Sequence, residues 1–148
     1  MKIYLAHPIS VCDVDEVFNY YDKTTKLFKE AGYEVLSPMF GKDDLRTDYK
    51  FRVTYDDKPT CTNSAIVNRD LWMVRTADVV FLNFTRCKQA SIGMTAELTT
   101  AYLNGKHIVT VLPEENPNRH AFIIQMSGTI FINEDDAIEY LINLGKSI

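Results

Sequence analysis

The sequence has few cysteines, no long apolar run and no excess of basic residues. Its 3 cysteines form no Cys-x-x-Cys pair, so the sequence predicts neither a disulfide framework nor a zinc site. No apolar run approaches the roughly 18 residues that a transmembrane helix needs. The chain also turns polar too soon after Met1 for a signal peptide, so we expect a cytoplasmic protein with reduced thiols.

The small number of basic residues limits the kinds of molecule that the protein is expected to bind. Lys and Arg number 16 against 20 Asp and Glu, which gives a net charge of −4. Nucleic-acid-binding proteins usually carry a basic stripe, so no nucleic-acid partner is predicted. A nucleotide-sized ligand remains compatible, because a few donors can hold one phosphate. The first predicted strand is not followed by Gly-x-Gly-x-x-Gly, which disfavours a dinucleotide-binding oxidoreductase.

The sequence does contain an alternation of β-type and helical patterns over 148 residues, a length typical of one domain. Two nearly continuous apolar runs, at 79–82 and 108–112, are typical of strands buried on both faces of a parallel sheet. We predict a single flavodoxin-like or Rossmann-like α/β domain, with a five-stranded, mostly parallel sheet and helices on both faces. The predicted strands are 2–6, 33–37, 78–83, 107–112 and 129–132, and the predicted helices are 14–31, 64–76, 93–104, 119–126 and 134–144.

The polar segment 38–63 interrupts this alternation. Loops of such length in compact domains are usually functional lids or disordered. Aromatic residues interleaved along the segment favour an active-site lid. Ligands of open α/β sheets bind beyond the carboxyl ends of the strands. The site is therefore expected among residues 7–12, 38–63, 83–94 and 113–119.

Asp70 is a carboxylate on an otherwise apolar helical face. A carboxylate that faces a core is costly unless it is paired or used. Asp70 is therefore either part of a buried cap or ion pair, or a carboxylate that faces a pocket. The apolar positions that flank it on a helical wheel are Ile66, Val67, Val74 and Ala77.

Glu97 borders a second apolar stripe, formed by Met94, Leu98, Ala101 and Tyr102. It lies in the first turns of its helix, where the macrodipole favours the ionised form by about 0.3–1 kcal/mol. A carboxylate nucleophile needs that form, although a Glu at this place is also a common surface residue. Together with Asp70 it suggests a pocket with two carboxyl groups, which can divide the work of breaking a glycosidic bond.

Three stretches carry a family resemblance: MKIYLAHPI at 1–9, IVNRDLWMVRTADVVFLN at 66–83 and SIGMTAELTTAYLNGK at 91–106. They resemble the nucleoside 2-deoxyribosyltransferase family, which includes 2′-deoxynucleoside 5′-phosphate N-hydrolases. The resemblance implies an enzyme of nucleotide salvage that cleaves the N-glycosidic bond of 2′-deoxynucleosides and transfers the deoxyribosyl group to another base, without a metal or cofactor. The alternatives are a nucleoside 5′-monophosphate N-glycosidase and, outside enzymes, a flavodoxin-like binding module.

The resemblance also implies roles for individual residues. Glu97 matches the nucleophile that attacks C1′ and forms a covalent deoxyribosyl-enzyme. Asp70 matches an aspartate near the sugar and base, a candidate for proton transfer to the leaving base, and Tyr4 matches a tyrosine that positions the nucleophile. The positions implied to contact substrate are His7, Ile9, Ser91, Gly93, Met94 and His120.

Some positions depart from the family pattern. Ser91 stands where transferases often have Asp, whereas nucleotide hydrolases use Ser to hold a 5′-phosphate. In the family a neighbouring subunit completes the pocket, here through 118–127, which implies a homodimer or higher homo-oligomer. Cationic His7, Arg119 and His120 near one site would favour a monophosphate. The alternatives are that His7 is a packed histidine and that Arg119 and His120 cap a short helix.

Overall fold

The computed structural model describes residues 1–10, 12–52 and 54–148; Val11 and Val53, within the predicted site loops 7–12 and 38–63, lie outside the described residues. The strands form one sheet in the order β2-β1-β3-β4-β5, and each neighbouring pair is parallel. The predicted single α/β domain with five strands is therefore confirmed. The elements are β1 (Lys2–Ala6), α1 (Val14–Glu30), β2 (Glu34–Leu36), α2 (Asn63–Thr76), β3 (Val79–Asn83), α3 (Ile92–Leu103), β4 (His107–Val111), α4 (Ala121–Met126), β5 (Thr129–Phe131) and α5 (Glu134–Lys146).

Each helix begins where a side chain accepts a hydrogen bond from a free backbone N–H group of the first turn. The predicted bounds differ from the observed ones by one or two residues, as is usual where helix ends fray. The residues that cap α1 to α5 are Asp13, Thr62, Ser91, His120 and Asn133.

The side chains of β1 point alternately to the two faces of the sheet, so the core has two layers. Ile3 and Leu5 pack with the helices α1 and α5 on one face of the sheet. Tyr4 and Ala6 point to the other face, where α2, α3 and α4 pack. The helices lie on both faces, as predicted, and the hydroxyl group of Tyr4 lies on the face that carries α2 and α3.

Two predicted core positions are wrong. Val67 of α2 and Tyr102 of α3 are 55% and 51% exposed. A helical wheel gives the direction in which a side chain points, but it does not show which part of the folded chain packs against that side chain. In α2 the buried residues Asp70, Met73 and Val74 lie in its second half, and the described residues leave Val67, in the first half, more than half exposed.

The segment 38–63 is not a polar surface loop. It contains two short 3₁₀ helices, Asp43–Leu45 and Pro59–Cys61. The backbone of Tyr49 accepts a hydrogen bond from Val14 N–H at 3.4 Å, which ties the segment to the start of α1. Its role as a lid stays a prediction. The segment's most deeply buried apolar side chains are Leu45, Phe51, Tyr55 and Cys61, which pack in the α1-side core.

None of the helices in the described part of the chain is long and apolar enough to span a membrane.

Two glycines have the same backbone conformation but differ in how closely other atoms approach them. Gly105 and Gly128 both have φ of +62°, but a Cβ at Gly128 would lie 2.5 Å from Ile108 O, whereas a Cβ at Gly105 meets nothing within 4 Å. We expect Gly105→Ala to lower the free energy of unfolding by about 1–2 kcal/mol through the left-handed backbone alone. Gly128→Ala should lower it further, as measured by urea denaturation. Equal losses for the two variants would contradict the close contact.

Candidate active site

The best-defined contact at the carboxyl edge of the sheet joins Tyr4 to Glu97. Tyr4 is fully buried in β1. Its hydroxyl group donates a hydrogen bond of 2.7 Å to Oε1 of Glu97, in the second turn of α3. A strand and a helix that are far apart in the sequence thus bring two of the predicted site residues together.

Asp70 lies on the sheet side of α2 and is 8% exposed. The Nε atom of Arg69 is 3.4 Å from its Oδ1 atom. Among the described residues, that oxygen accepts no hydrogen bond. Asp70 is close enough to Glu97 for its negative charge to raise the pKa of the Glu97 carboxyl group. The three predicted catalytic residues therefore belong to one cluster.

Lys42 is a member of this cluster that sequence reasoning missed. It comes from the segment 38–63, and only 4% of its surface is exposed. Its positive charge lowers the pKa of both Asp70 and Glu97, against the effect of burial. A lysine in a polar loop normally indicates a surface position, so no pattern in the sequence predicts that Lys42 is buried.

Burial dominates the ionisation of Glu97. It raises the pKa of the carboxyl group to about 8, although the hydrogen bond from Tyr4 and the charge of Lys42 lower it. The helix terminus, which was expected to favour the ionised form, does not decide the pKa of this carboxyl group. Removal from water outweighs a dipole worth about 0.3–1 kcal/mol, and that dipole acts mainly within the first turn.

His7 follows β1 and is packed against aromatic rings. Its ring stacks on Tyr20 at 3.8 Å, its Nδ1 atom lies 3.0 Å from Pro8 O, and its backbone N–H group donates to the hydroxyl group of Tyr21 at 3.0 Å. Burial lowers the pKa of His7 to about 4. The ring is therefore neutral at neutral pH, and the expectation of a cationic His7 is wrong.

The residues around the start of α3 have mainly structural contacts. The Oγ atom of Ser91 accepts a hydrogen bond from Met94 N–H at 3.3 Å, so Ser91 caps α3. Met94 is buried beside Cys87, whereas Gly93 is exposed. Ile9 is partly buried against the α1-side core.

Two asparagines that sequence reasoning missed hold this loop in position. Asn118 accepts a hydrogen bond from Ser91 N–H at 2.8 Å and donates to Gln89 O at 3.3 Å. Asn116 donates to Phe84 O at 2.7 Å. Both are buried, and an Asn-Pro-Asn sequence alone indicates only a turn.

Arg119 and His120 lie at the start of α4, and both are exposed. Arg119 donates from Nε to Pro113 O at 3.2 Å, and Nδ1 of His120 accepts from Phe122 N–H at 3.3 Å. No hydrogen bond or ion pair within the described residues joins either of them to His7 or to the carboxylates. Within one chain, His120 caps a short helix and the expected cationic group of three does not form.

The cluster combines the buried carboxyl group of Asp70, the partly buried carboxyl group of Glu97, a tyrosine hydroxyl group and two cations, Lys42 and Arg69. Carboxyl groups with a raised pKa can act as acids, and they act as nucleophiles once they are ionised. In the described part of the chain, His, Cys, Asp and Glu side chains form no group of three suited to a metal ion. Two carboxyl groups in one cluster are the arrangement with which many enzymes divide the acid and nucleophile roles in breaking a glycosidic bond.

The chain belongs to the nucleoside 2-deoxyribosyltransferase family, whose model matches residues 3–136. This confirms the family and the enzyme class that the sequence motifs predict. Membership supports activity on the glycosidic bond of nucleosides. No curated protein sequence matches the chain significantly.

Solved structures with the same fold include two transferases and one hydrolase. A 2-deoxyribosyltransferase from Bacillus psychrosaccharolyticus is 19% identical with a TM-score of 0.61, over 95% of this chain and 92% of that chain. A deoxyribosyltransferase from Leishmania mexicana is 20% identical with a TM-score of 0.61, over 96% and 97%. The CMP N-glycosidase BcmB from Clostridium botulinum is 16% identical with a TM-score of 0.55, over 95% and 98%.

The buried carboxyl group of Glu97 makes stability depend on pH. Its pKa of about 8 in the folded chain exceeds the value of about 4.3 for an unfolded Glu. Between these values the folded chain holds a proton that the unfolded chain has released, so the free energy of unfolding falls as pH rises. We expect Glu97→Gln to gain about 1 kcal/mol or more over the wild type between pH 5 and pH 8, measured by urea denaturation.

The matched control is Glu114→Gln, which changes an exposed glutamate and should show no such gain. If the stability difference between Glu97→Gln and the wild type stays constant from pH 5 to pH 8, the carboxyl group of Glu97 is not protonated by burial.

Proposed function

We propose that the enzyme cleaves the N-glycosidic bond of 2′-deoxynucleosides by double displacement through Glu97 and transfers the deoxyribosyl group to another base. The observation that carries this proposal is the 2.7 Å hydrogen bond from Tyr4 to Glu97, beside the buried Asp70. A fixed carboxylate oxygen next to a second carboxyl group suits attack on a sugar carbon and protonation of a leaving group.

In the first step an oxygen of ionised Glu97 bonds to C1′ while the bond from C1′ to the base nitrogen breaks. The electron pair of that bond leaves with the base, and Asp70 supplies a proton to it. Tyr4 keeps the carboxylate oriented through its hydrogen bond. In the second step another base attacks C1′ from the face that the first base left, and the bond from C1′ to Glu97 breaks. The proton of the incoming base passes to Asp70, which regenerates both carboxyl groups and gives overall retention.

The second candidate is hydrolysis of nucleoside 5′-monophosphates by the same intermediate, with water in place of the second base. Ser91 supports this candidate, because it caps α3 and an exposed glycine follows it. Backbone N–H groups at the start of a helix favour an anion such as a phosphate. The relative that acts on CMP has the same fold.

The remaining predicted contacts complete this proposal. Ser91 and Gly93 bind the 5′ side of the sugar, Met94 and Ile9 form apolar walls, and neutral His7 contacts the sugar. The segment 38–63 closes over the substrate. The enzyme works in the cytoplasm in nucleotide salvage.

A base-release assay tests the reaction. Deoxynucleosides and their 5′-monophosphates are supplied separately, and free base and free sugar are measured. We expect Glu97→Ala to lower kcat by at least about 10³-fold, because the nucleophile is removed. Glu114→Ala, an exposed control, should leave kcat unchanged, and circular dichroism should show both variants folded.

Exchange of a labelled free base into the deoxynucleoside supports transfer, whereas release of deoxyribose phosphate only from monophosphates supports hydrolysis. Mass spectrometry of the quenched wild-type enzyme should find a deoxyribosyl group on Glu97. A folded Glu97→Ala variant that still releases base would falsify the nucleophile assignment.

We also propose that the protein forms a homodimer in which His120 of one subunit reaches the site of the other. The support is a 720 Å³ apolar groove between α3 and α4 whose wall includes Tyr102, Leu103 and Phe122. Leu103 and Phe122 are 75% and 70% exposed, and exposed apolar patches of this kind commonly mark interfaces.

Phe122→Glu tests this assembly. We expect the charge to weaken association at least about tenfold, because an anchoring ring in an apolar interface is lost. Analytical ultracentrifugation measures the association, and Glu139→Gln on α5 is the control. A wild-type protein that sediments as a monomer at all concentrations contradicts the dimer.

A further inference from the structure

Lys42 is held in the site by its own backbone. Its N–H group donates to Met39 O at 3.0 Å, and its carbonyl accepts from Leu45 N–H at 2.9 Å. Thr60 ties the preceding residue down, because its hydroxyl group donates to Gly41 O at 3.1 Å. Arg69 of α2 donates to Thr60 O at 2.9 Å, which fixes this turn to the helix that carries Asp70.

The ammonium group of Lys42 has no fixed acceptor. Among the described residues it makes no hydrogen bond and no ion pair within 4.0 Å, although the residue is only 4% exposed, and its Nζ atom is not one of the side-chain atoms that are closed to water and lack a partner. A charge with little access to water and no partner is costly. That cost can be maintained by function when a ligand supplies the missing acceptor.

The position of Lys42 within the cluster indicates which part of the substrate it contacts. A Cβ atom at Gly41 would lie 3.1 Å from Nη1 of Arg69, so Lys42 follows a residue that lies beside the turn of α2 that carries Asp70. In the proposed reaction Glu97 attacks C1′ from the face opposite the base, and Asp70 serves the base. Lys42, which lies on the Asp70 side of the cluster, is therefore on the base side. A 5′-phosphate there would be repelled by Glu97 in the ionised form that attacks C1′.

We propose that Lys42 is a further substrate-contacting residue, whose ammonium group donates a hydrogen bond to the base acceptor adjacent to the glycosidic nitrogen. This acceptor is O2 of a pyrimidine or N3 of a purine, and the assignment rests on the proposed function. As the C1′–N bond breaks, its electron pair spreads onto this atom, so the hydrogen bond strengthens towards the transition state. Lys42 keeps its proton, and the base receives its proton from Asp70.

The test compares leaving groups with the same sugar. The pairs are 2′-deoxyuridine with 5-fluoro-2′-deoxyuridine and, for a purine-specific enzyme, 2′-deoxyadenosine with its 2-fluoro analogue, each as nucleoside and as 5′-monophosphate. We expect Lys42→Met to lower kcat about 10²–10³-fold with the unsubstituted base. The loss should be clearly smaller with the fluorinated base, which bears the negative charge more easily. Lys42→Arg should recover most of the rate.

The matched control is Lys29→Met, which removes an exposed lysine in the last turn of α1, outside the segment 38–63. It should leave kcat unchanged. The proposal is overturned if Lys42→Met lowers kcat equally for both bases and moves the acidic limb of the kcat/KM profile to higher pH. That result would mean that Lys42 acts only on the ionisation of Glu97. A loss confined to 5′-monophosphates, or failure of both Lys42→Met and Lys42→Gln to fold, would also overturn the proposal. Absence of base release by the wild type would instead overturn the proposed function.

Discussion

The hydrogen bond from Tyr4 to Glu97 depends on two features of the fold at once. Tyr4 must lie in a strand near the middle of the sheet, where it is fully buried, and Glu97 must lie where α3 crosses the carboxyl edge. The pairing of β1 with β3 and of β3 with β4 fixes these elements relative to one another. The sheet thus sets the distance between two groups that are 93 residues apart in the sequence.

Burial sets the protonation states of the cluster, and it also makes the cluster unfavourable for stability. Removal from water raises the pKa of Glu97 and of Asp70 and lowers that of Lys42, so each group is displaced towards its neutral form. The opposite charges in the cluster limit these pKa shifts without forming a tight buried ion pair. Such an arrangement leaves the groups ready to exchange protons or to accept a ligand, whereas close ion pairs would hold them in one state. Two of these four charged groups, Lys42 and Asp70, are buried, and the other two, Arg69 and Glu97, are partly buried, so a bound substrate can shift their protonation states.

The sequence predicted the sheet well because the apolar runs of β3 and β4 and the glycines after α1 and α3 are local signals. Asp70 was found because a carboxylate on an apolar face conflicts with its surroundings. Lys42, Asn116 and Asn118 were missed because their burial is produced by long-range packing of loops, which no local pattern records. The pKa values of His7 and Glu97 could not be predicted for the same reason, since both depend on how much water the folded chain removes.

The helix α3 connects the chemistry to the surface. Its buried residues Met94, Leu98 and Ala101 pack on the sheet, Glu97 turns towards Tyr4, and Leu103 remains exposed beside α4. One short helix therefore has a core face, the carboxyl group that Tyr4 binds and, among the described residues, an exposed apolar end. Any contact at this end acts on the element that carries Glu97. A small rotation of this helix would lengthen the 2.7 Å hydrogen bond on which the orientation of the carboxylate depends.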